Sequence, residues 1–297
     1  MAKEVSAILR LETRDLVPIA VVAIVSLVCI VIFLLPLEVQ NSLKVRHSVF
    51  DPITYMTASF VHGDLQHLGF NLAFFALFTL MLYIISRKAG KEKLFFWSTL
   101  IMFLLLPLLN YSILFYSGIF MKVEFGFGLS LTDSGMIGST IPFLAFFFKA
   151  KLAKFNSMPF VVSMTLLTFS LILVPYSESL ILAGVSAACG LAFGALAFPA
   201  ILRFLREYFG RKDSWLESYL VVLAFISYFC AIASLFPALI VSKGGITDIV
   251  SHYIGLLFGI IPFSAIAILA KQDKILNGKA RAFNAIRLLR TIMERKL

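Results

Sequence analysis

Residues 57–85 read TASFVHGDLQHLGFNLAFFALFTLMLYII, and this stretch decides the class of the fold. Its second half is almost entirely apolar, while its first half carries two histidines and an asparagine among phenylalanine and leucine. A helix needs roughly 20 mostly apolar residues to cross the hydrocarbon core of a bilayer. The stretch therefore predicts a membrane-spanning helix with polar side chains at its N-terminal end.

Apolar runs of this length recur along the chain. Of its 297 residues, 60% are hydrophobic and 14% are charged, a composition that a water-soluble fold of this size cannot bury. The sequence therefore predicts an all-α polytopic membrane protein with eight spans. The brief break at Pro175-Tyr176-Ser177-Glu178 also allows two runs to form one span, which would give seven. The predicted spans are 16–36, 57–85, 94–116, 127–148, 158–175, 178–202, 216–241 and 249–270.

The distribution of Lys and Arg predicts the orientation of the spans, because basic residues are retained on the cytoplasmic side. With eight spans and both termini inside, all but four of the 26 Lys and Arg fall on the inner side; the exceptions are Lys44, Arg46, Lys122 and Lys243. Merging two spans would invert every later loop and destroy this separation. We therefore expect a transmembrane domain over 1–270 in the cell membrane and a basic cytoplasmic tail over 271–297.

The net charge of +10 is explained by this topology, so we expect no nucleic-acid partner. The basic tail is predicted to rest on anionic lipid as a short amphipathic helix. The three cysteines lie inside apolar spans without C-x-x-C spacing. No metal site and no cofactor are predicted.

Polar side chains inside the spans are the candidate functional residues, because burying them in lipid is costly. His67 and Asn71 are four residues apart, which stacks them on one helix face about 6 Å apart along the axis. His62 lies where the chain enters the membrane. His47, in the first outer loop, is predicted to be solvated.

The fourth span offers two candidate nucleophiles, Ser130 and Ser134, followed by a patch of small residues at Gly135 and Gly138. Serines in membrane helices often serve only packing or backbone hydrogen bonding. The choice between the two serines therefore needs a second criterion.

The eighth span begins with a histidine and continues with small residues. His252 is followed by Gly255 and Gly259, a small-xxx-small stripe. Two surfaces of small residues can approach closely, so we expect the fourth and eighth spans to bring a serine and His252 together.

Depth in the bilayer distinguishes the two serines. Counted to the first basic residue at the inner end of each span, Ser130 and His252 are both 19 residues away and His67 is 20, whereas Ser134 is only 15. At about 1.5 Å per residue, the first three lie at one level near the outer face. Ser134 lies about 6 Å deeper, which favours Ser130 as the partner of His252.

Three segments together resemble the rhomboid family of intramembrane serine proteases. Residues 62–71 match the pattern H-x4-H-x3-N. Residues 128–130 match G-x-S, with glycines five and eight positions after the serine. Residues 252–259 resemble the rhomboid helix that carries the catalytic histidine and its glycines.

This resemblance implies a serine endopeptidase that cleaves transmembrane protein substrates near the outer face of the membrane. Ser130 would be the nucleophile and His252 its general base, without an Asp. His67 and Asn71, with the Ser130 backbone N–H, would form the oxyanion hole. The supporting positions are His62, Gly128 and Gly255.

The chain also departs from the rhomboid pattern. The Gly that usually follows the nucleophile is Leu131, so Ser134, which precedes Gly135, stays an alternative nucleophile. Asp133 is an uncommon charge for this helix. The Trp-Arg pair of the first outer loop is absent, and Ser86 stands where a Glu is expected near the inner end of the second span. Three spans separate the serine and histidine spans, where the rhomboid-like six-helix core has one, so we expect two additional helices.

Two other functions stay open at this stage. A catalytically inactive rhomboid-like protein that binds membrane proteins for quality control would explain Leu131 and the missing loop residues. A proton-coupled transporter could use Asp133 and the histidines, but it predicts an inverted repeat, and the sequence has no second histidine-rich half.

Overall fold

The computed structural model describes residues 13–117, 125–152, 155–176, 180–209, 215–236, 241–242, 245–246 and 249–267. These ranges contain eight helices that are long and apolar enough to cross a membrane. The predicted all-α polytopic fold is therefore confirmed. The predicted basic tail lies outside the described residues. The spanning helices are α1 (Leu16–Phe33), α2 (Leu65–Lys88), α3 (Glu92–Ser117), α4 (Ser130–Lys151), α5 (Ser157–Tyr176), α6 (Leu180–Phe209), α7 (Trp215–Leu235) and α8 (Ile249–Ala267).

Short elements connect the spans at the predicted outer face. Between α1 and α2 lie two helices of one to two turns and one 3-10 turn, whereas another 3-10 turn precedes α1 at the predicted inner face. Two antiparallel ladders pair β1 with β2 and β3 with β4. These elements are Thr13–Asp15, Leu37–Ser42, β1 (Val45–Arg46), Pro52–Thr57, Ala58–Phe60, β2 (Phe125–Gly126), β3 (Val241–Ser242) and β4 (Gly245–Ile246).

Three spans are shorter than their apolar runs predicted: α1 ends at Phe33 and not at 36, and α2 and α7 differ by more. α2 begins at Leu65 and not at residue 57, because the Asp64 side chain caps the helix by accepting from the His67 backbone N–H at 2.7 Å. α7 ends at Leu235 and not at 241, as expected shortly before a proline at residue 237. The later start of α2 leaves His62 and Asp64 outside that helix on the candidate-site side.

Residues 157–209 form two helices, not one. Three serine hydrogen bonds link α5 to α6: Ser163 to the Gly190 carbonyl, Ser170 to the Ala183 carbonyl, and Ser186 of α6 to the Leu166 carbonyl. As the position on α5 increases, its partner on α6 decreases, which identifies an antiparallel hairpin. The eight-span division is therefore correct, and the seven-span alternative is excluded.

Helix α4 is the centre of the bundle. Its most apolar 18-residue window is 100% buried, against 17% in α1 and in α6, and it has the lowest mean hydropathy of the eight helices, 1.3. Helices α2, α3, α5 and α7 pack around it, and the glycine contacts described below add α8. The least apolar span is thus shielded from lipid by the more apolar ones, as expected for a helix that carries functional groups.

Ion pairs join the helix ends that are predicted to be cytoplasmic. Glu217 at the start of α7 accepts from Lys151 at the end of α4 at 2.7 Å and lies 3.4 Å from Lys88 of α2. Asp15, ahead of α1, pairs with Arg87 of α2. These contacts place the predicted inner ends of α1, α2, α4 and α7 together, so the alternation of the spans agrees with the charge pattern.

Candidate active site

Ser130 is the first residue of α4, the central helix. The first N–H groups of a helix have no acceptor within the helix, so the Ser130 N–H is available to bind another group. Its side chain is partly accessible. This polar side chain therefore lies at the outer end of a helix whose remaining length is almost entirely buried.

Ser134, the alternative nucleophile, lies one turn deeper and is enclosed. Its side chain is 0% exposed. Its hydroxyl donates to the Ser130 carbonyl at 2.6 Å, the ordinary way for a serine to satisfy its hydroxyl within a membrane helix. This geometry favours Ser130 over Ser134, in agreement with the depth count.

Glycines bring α4 and α8 into backbone contact. A Cβ on Gly255 would lie 2.5 Å from the Leu131 carbonyl oxygen and 2.9 Å from the Ser134 Cβ. A Cβ on Gly259 would overlap the Gly135 carbonyl, and one on Gly138 would overlap the Leu256 carbonyl. The small-residue stripes therefore face each other, as the sequence predicts.

The same contacts fix the relative level of Ser130 and His252. Gly255 meets residues 131–135, and Gly259, four residues later, meets residues 135–139. The two helices therefore run parallel, and an advance of four residues along one matches an advance of four residues along the other. His252, three residues before Gly255, lies level with residues 128–132, and Ser130 is at the middle of that range.

The imidazole of His252 is oriented by a backbone carbonyl. Its Nδ1 lies 2.7 Å from the carbonyl oxygen of Leu235, at the end of α7. Because a carbonyl only accepts, Nδ1 carries the proton and donates it, which leaves Nε2 as the basic nitrogen. The carbonyl thus orients the imidazole, as an Asp does in a serine-protease triad.

His67 and Asn71 converge on Gly128, two residues before Ser130. A Cβ on Gly128 would lie 2.9 Å from His67 Nε2 and 3.6 Å from Asn71 Nδ2. The φ of Gly128 is +115°, a conformation that side-chain-bearing residues rarely adopt. Glycine is therefore required here, both for the backbone and for the approach of the two polar side chains.

His62 lies outside α2 and folds back over its first turns. Asn71 Nδ2 donates to His62 Nε2 at 3.1 Å, and the His62 and His67 rings meet edge to face at 5.0 Å. The amide has two N–H groups, so one holds Asn71 in place while the other is free to face Gly128. His62 thus holds the Asn71 side chain by a hydrogen bond.

The two halves of the site are close together. The imidazoles of His67 and His252 are near enough for their charges to interact. Phe236 packs its ring against His252, with centroids 6.2 Å apart. His252 is 7% exposed, so its imidazole lies in a mostly enclosed setting.

The first outer loop holds the segment that leads to Ser130. Val45 of β1 pairs with Gly126 of β2, and the Ala58 carbonyl accepts from the Gly128 N–H at 2.9 Å. Lys44 lies over the Phe127 ring at 4.6 Å from its centroid. These contacts were not predicted, because pairing between two dipeptides about 80 residues apart leaves no periodic pattern in the sequence.

His47, predicted to be solvated, is 5% exposed, so that prediction is wrong. Its ring packs near Tyr111, with centroids 6.2 Å apart, and its Nε2 would lie 2.9 Å from a Cβ on Gly126. The β1–β2 pairing draws the loop onto the bundle and covers the histidine. His47 is therefore part of the scaffold beneath β2.

Asp133 takes no part in the Ser130–His252 arrangement. It lies roughly 160° around α4 from Gly135, on the side away from α8, and is 1% exposed. Its electrostatic neighbour is Cys29 of α1. Neither carboxyl oxygen has a hydrogen-bond partner among the described residues.

An apolar groove opens beside His252 between the outer halves of α5 and α7. Its volume is about 540 Å³, and Phe236 lies between it and the His252 ring. The groove would accept an apolar segment from the membrane without exposing it to water. Its lining residues are Leu171, Pro175, Phe229, Ile232, Ala233 and Phe236.

The pH dependence of stability reports on His62. Burial, followed by repulsion from His67, lowers the pKa of His62 from 6.5 to about 4. The neutral form is favoured in the folded protein, so the stabilisation is complete above pH 6.5 and is lost as the pH falls towards 4. The linkage amounts to about 3 kcal/mol.

We therefore expect the thermal midpoint in detergent to fall between pH 6.5 and 4, and His62→Gln to reduce that fall. The comparison of the two proteins cancels the contributions of titratable groups that do not interact with His62. An unchanged pH dependence in the variant would contradict the burial of neutral His62.

No family model matches the chain, and no curated protein or solved structure is similar to it. The interpretation of the site therefore depends on its residues and their geometry.

Proposed function

We propose that this protein is a rhomboid-type intramembrane serine endopeptidase with Ser130 as nucleophile and His252 as general base. The observation that carries the proposal is the level of these two residues, set by the glycine contacts of α4 and α8. His67 and Asn71 both approach Gly128, two residues before Ser130. The substrates are transmembrane proteins of the cell membrane, cleaved near its outer face.

In the acylation step, His252 Nε2 takes the Ser130 hydroxyl proton while Oγ attacks the peptide carbonyl carbon. The negative charge that develops on the carbonyl oxygen is stabilised by donors already in place: His67 Nε2–H, Asn71 Nδ2–H and the Ser130 N–H. The C–N bond then breaks, and the leaving amine takes the proton from His252. The products of this step are a free amine and a serine ester.

In the second step, water replaces the amine. His252 takes a proton from the water, the hydroxide adds to the ester carbonyl, and Ser130 leaves with that proton restored. The Leu235 carbonyl keeps Nδ1 protonated throughout, so Nε2 does the proton transfers in both steps. The apolar groove beside Phe236 supports the assignment of membrane-embedded substrates.

Leu131 does not weigh against catalysis. Its side chain is 2% exposed and belongs to the apolar core, while its carbonyl contacts Gly255. The residue that departs from the rhomboid pattern thus points away from the accessible side of Ser130.

A cleavage assay with the purified protein and a single-span model substrate tests the proposal. We expect Ser130→Ala to abolish cleavage, with a fall of about a thousandfold or more. Ser134→Ala, a matched substitution one turn deeper, should retain at least about a tenth of the activity, because it removes only a hydrogen bond within α4.

The two variants separate the alternatives. Cleavage that persists in Ser130→Ala and is lost in Ser134→Ala would transfer the nucleophile role to Ser134. A wild-type protein that neither cleaves nor reacts with a fluorophosphonate, yet binds membrane proteins, would favour the inactive quality-control factor.

A further inference from the structure

Asn110 is a buried amide in the outer part of α3. It lies in the apolar sequence PLLNYS and is 0% exposed. An amide in this setting is costly unless it is hydrogen-bonded, and polar residues inside membrane helices are candidates for function. The proposed catalytic steps do not use it.

The Asn110 amide reaches the start of α8. Its Nδ2 donates to the Ser251 hydroxyl at 2.9 Å, a bond between residues 141 positions apart in the chain. Ser251 directly precedes His252 and is 4% exposed. The bond therefore joins α3 to the backbone that carries the proposed general base.

The part of α8 that carries His252 is held by hydrogen bonds from two other helices. The described part of this helix starts at Ile249, and Ser251 and His252 lie in its first described turn. The imidazole is held from α7 by the Leu235 carbonyl, and the adjacent residue is held from α3 by Asn110.

The same turn of α3 also touches the nucleophile side of the site. Tyr111 packs against His47 and Tyr55, with ring centroids 6.2 and 5.6 Å apart. His47 lies against Gly126, within the β2 segment that leads to Ser130. Consecutive residues of α3 thus contact the supports of both the nucleophile and the base.

We propose that Asn110 is a positioning residue for the general base: its hydrogen bond to Ser251 fixes the backbone of α8 beside His252 so that His252 Nε2 faces Ser130. This role depends on the proposed protease function. Asn110 itself does not touch the reacting atoms. Its loss should therefore affect the chemical step and leave substrate binding nearly unchanged.

The test measures kcat and KM for a single-span substrate, together with the rate of Ser130 labelling by a fluorophosphonate. We expect Asn110→Leu and Ser251→Ala each to lower kcat and the labelling rate about tenfold to hundredfold, the effect of a small misplacement of a catalytic group. KM should change less than about twofold. The double variant should fall no further than the single ones, because both remove the same bond.

Ser251→Thr keeps a hydroxyl and should restore the rate to within about threefold of wild type. The matched control is Ser163→Ala, which removes a buried serine hydrogen bond to the Gly190 carbonyl within the α5–α6 hairpin. This control should lower the thermal midpoint to a similar extent and leave kcat unchanged.

Two outcomes overturn the proposal and are distinguishable. If the wild-type protein shows no Ser130-dependent labelling, the protease function fails, and the positioning role fails with it. If the wild type is labelled and Asn110→Leu keeps the wild-type kcat and labelling rate while losing stability like Ser163→Ala, Asn110 is a structural residue only.

Discussion

Replacing His252 with alanine is expected to reduce cleavage of a transmembrane substrate by about a thousandfold or more, the loss seen when a serine protease loses its base. Without Nε2, the Ser130 hydroxyl has no acceptor for its proton during attack. The donors around Gly128 stay in place, so a small residual rate can persist. The measurement is substrate turnover in detergent and in liposomes.

The variant should remain folded, because the glycine contacts that hold α8 against α4 are made by Gly255 and Gly259 and not by His252. Circular dichroism and the thermal midpoint provide this control. The labelling rate of Ser130 by a fluorophosphonate should fall with the cleavage rate, since both reactions need the same proton transfer. Retention of more than about a tenth of the activity would rule out His252 as the base.

The second large effect is expected at Gly259. Gly259→Ala adds a methyl group that overlaps the Gly135 carbonyl and lies 2.8 Å from the Ser139 backbone nitrogen. Backbone atoms cannot rotate away, so α4 and α8 must separate. Overpacking of this kind costs about 1–3 kcal/mol or more. It should lower the thermal midpoint by several degrees and abolish cleavage, because His252 moves with α8.

Gly184→Ala is the matched control for this substitution. Gly184 lies in α6, and a Cβ there meets no atom within 4 Å. Alanine is favoured over glycine inside a helix by about 0.5–1 kcal/mol, so this variant should be as stable as wild type or slightly more stable. Equal midpoints for Gly259→Ala and wild type would mean that the two helices do not touch as described.

The spans and the level of the candidate residues could be predicted because both follow from one-dimensional counts. An apolar run of about 20 residues can only cross the membrane as a helix, and a fixed rise per residue converts position into depth. The glycine contacts of α4 and α8 agree with the count that placed Ser130, and not Ser134, opposite His252.

Features that depend on backbone atoms could not be predicted in this way. The Leu235 carbonyl that orients His252 comes from the end of α7, and any residue type there would supply it. The cap at Asp64 shortened α2 and let His62 fold back onto Asn71. The sequence contained the capping residue, but the continuous apolar pattern concealed the helix start.

Asn110 was missed although a signal was present. A single amide within an apolar run satisfies the criterion that selected Asn71, but no histidine stands beside it in the sequence. Its neighbour in space, Ser251, is 141 residues away. Asp133 was noticed, and a helical projection from Gly135 and Gly138 would already have placed it on the side of α4 away from α8.

The antiparallel α5–α6 hairpin has a consequence for how the chain is assembled. The hairpin enters the membrane on the side where α4 ends and leaves it on the same side, where α7 begins. It therefore adds no net crossing. Its internal serine bonds let it enter the bilayer as one preformed pair. A hairpin of this kind can be gained or lost without changing the orientation of any later helix across the membrane. A single added helix would reverse the orientation of α7 and α8.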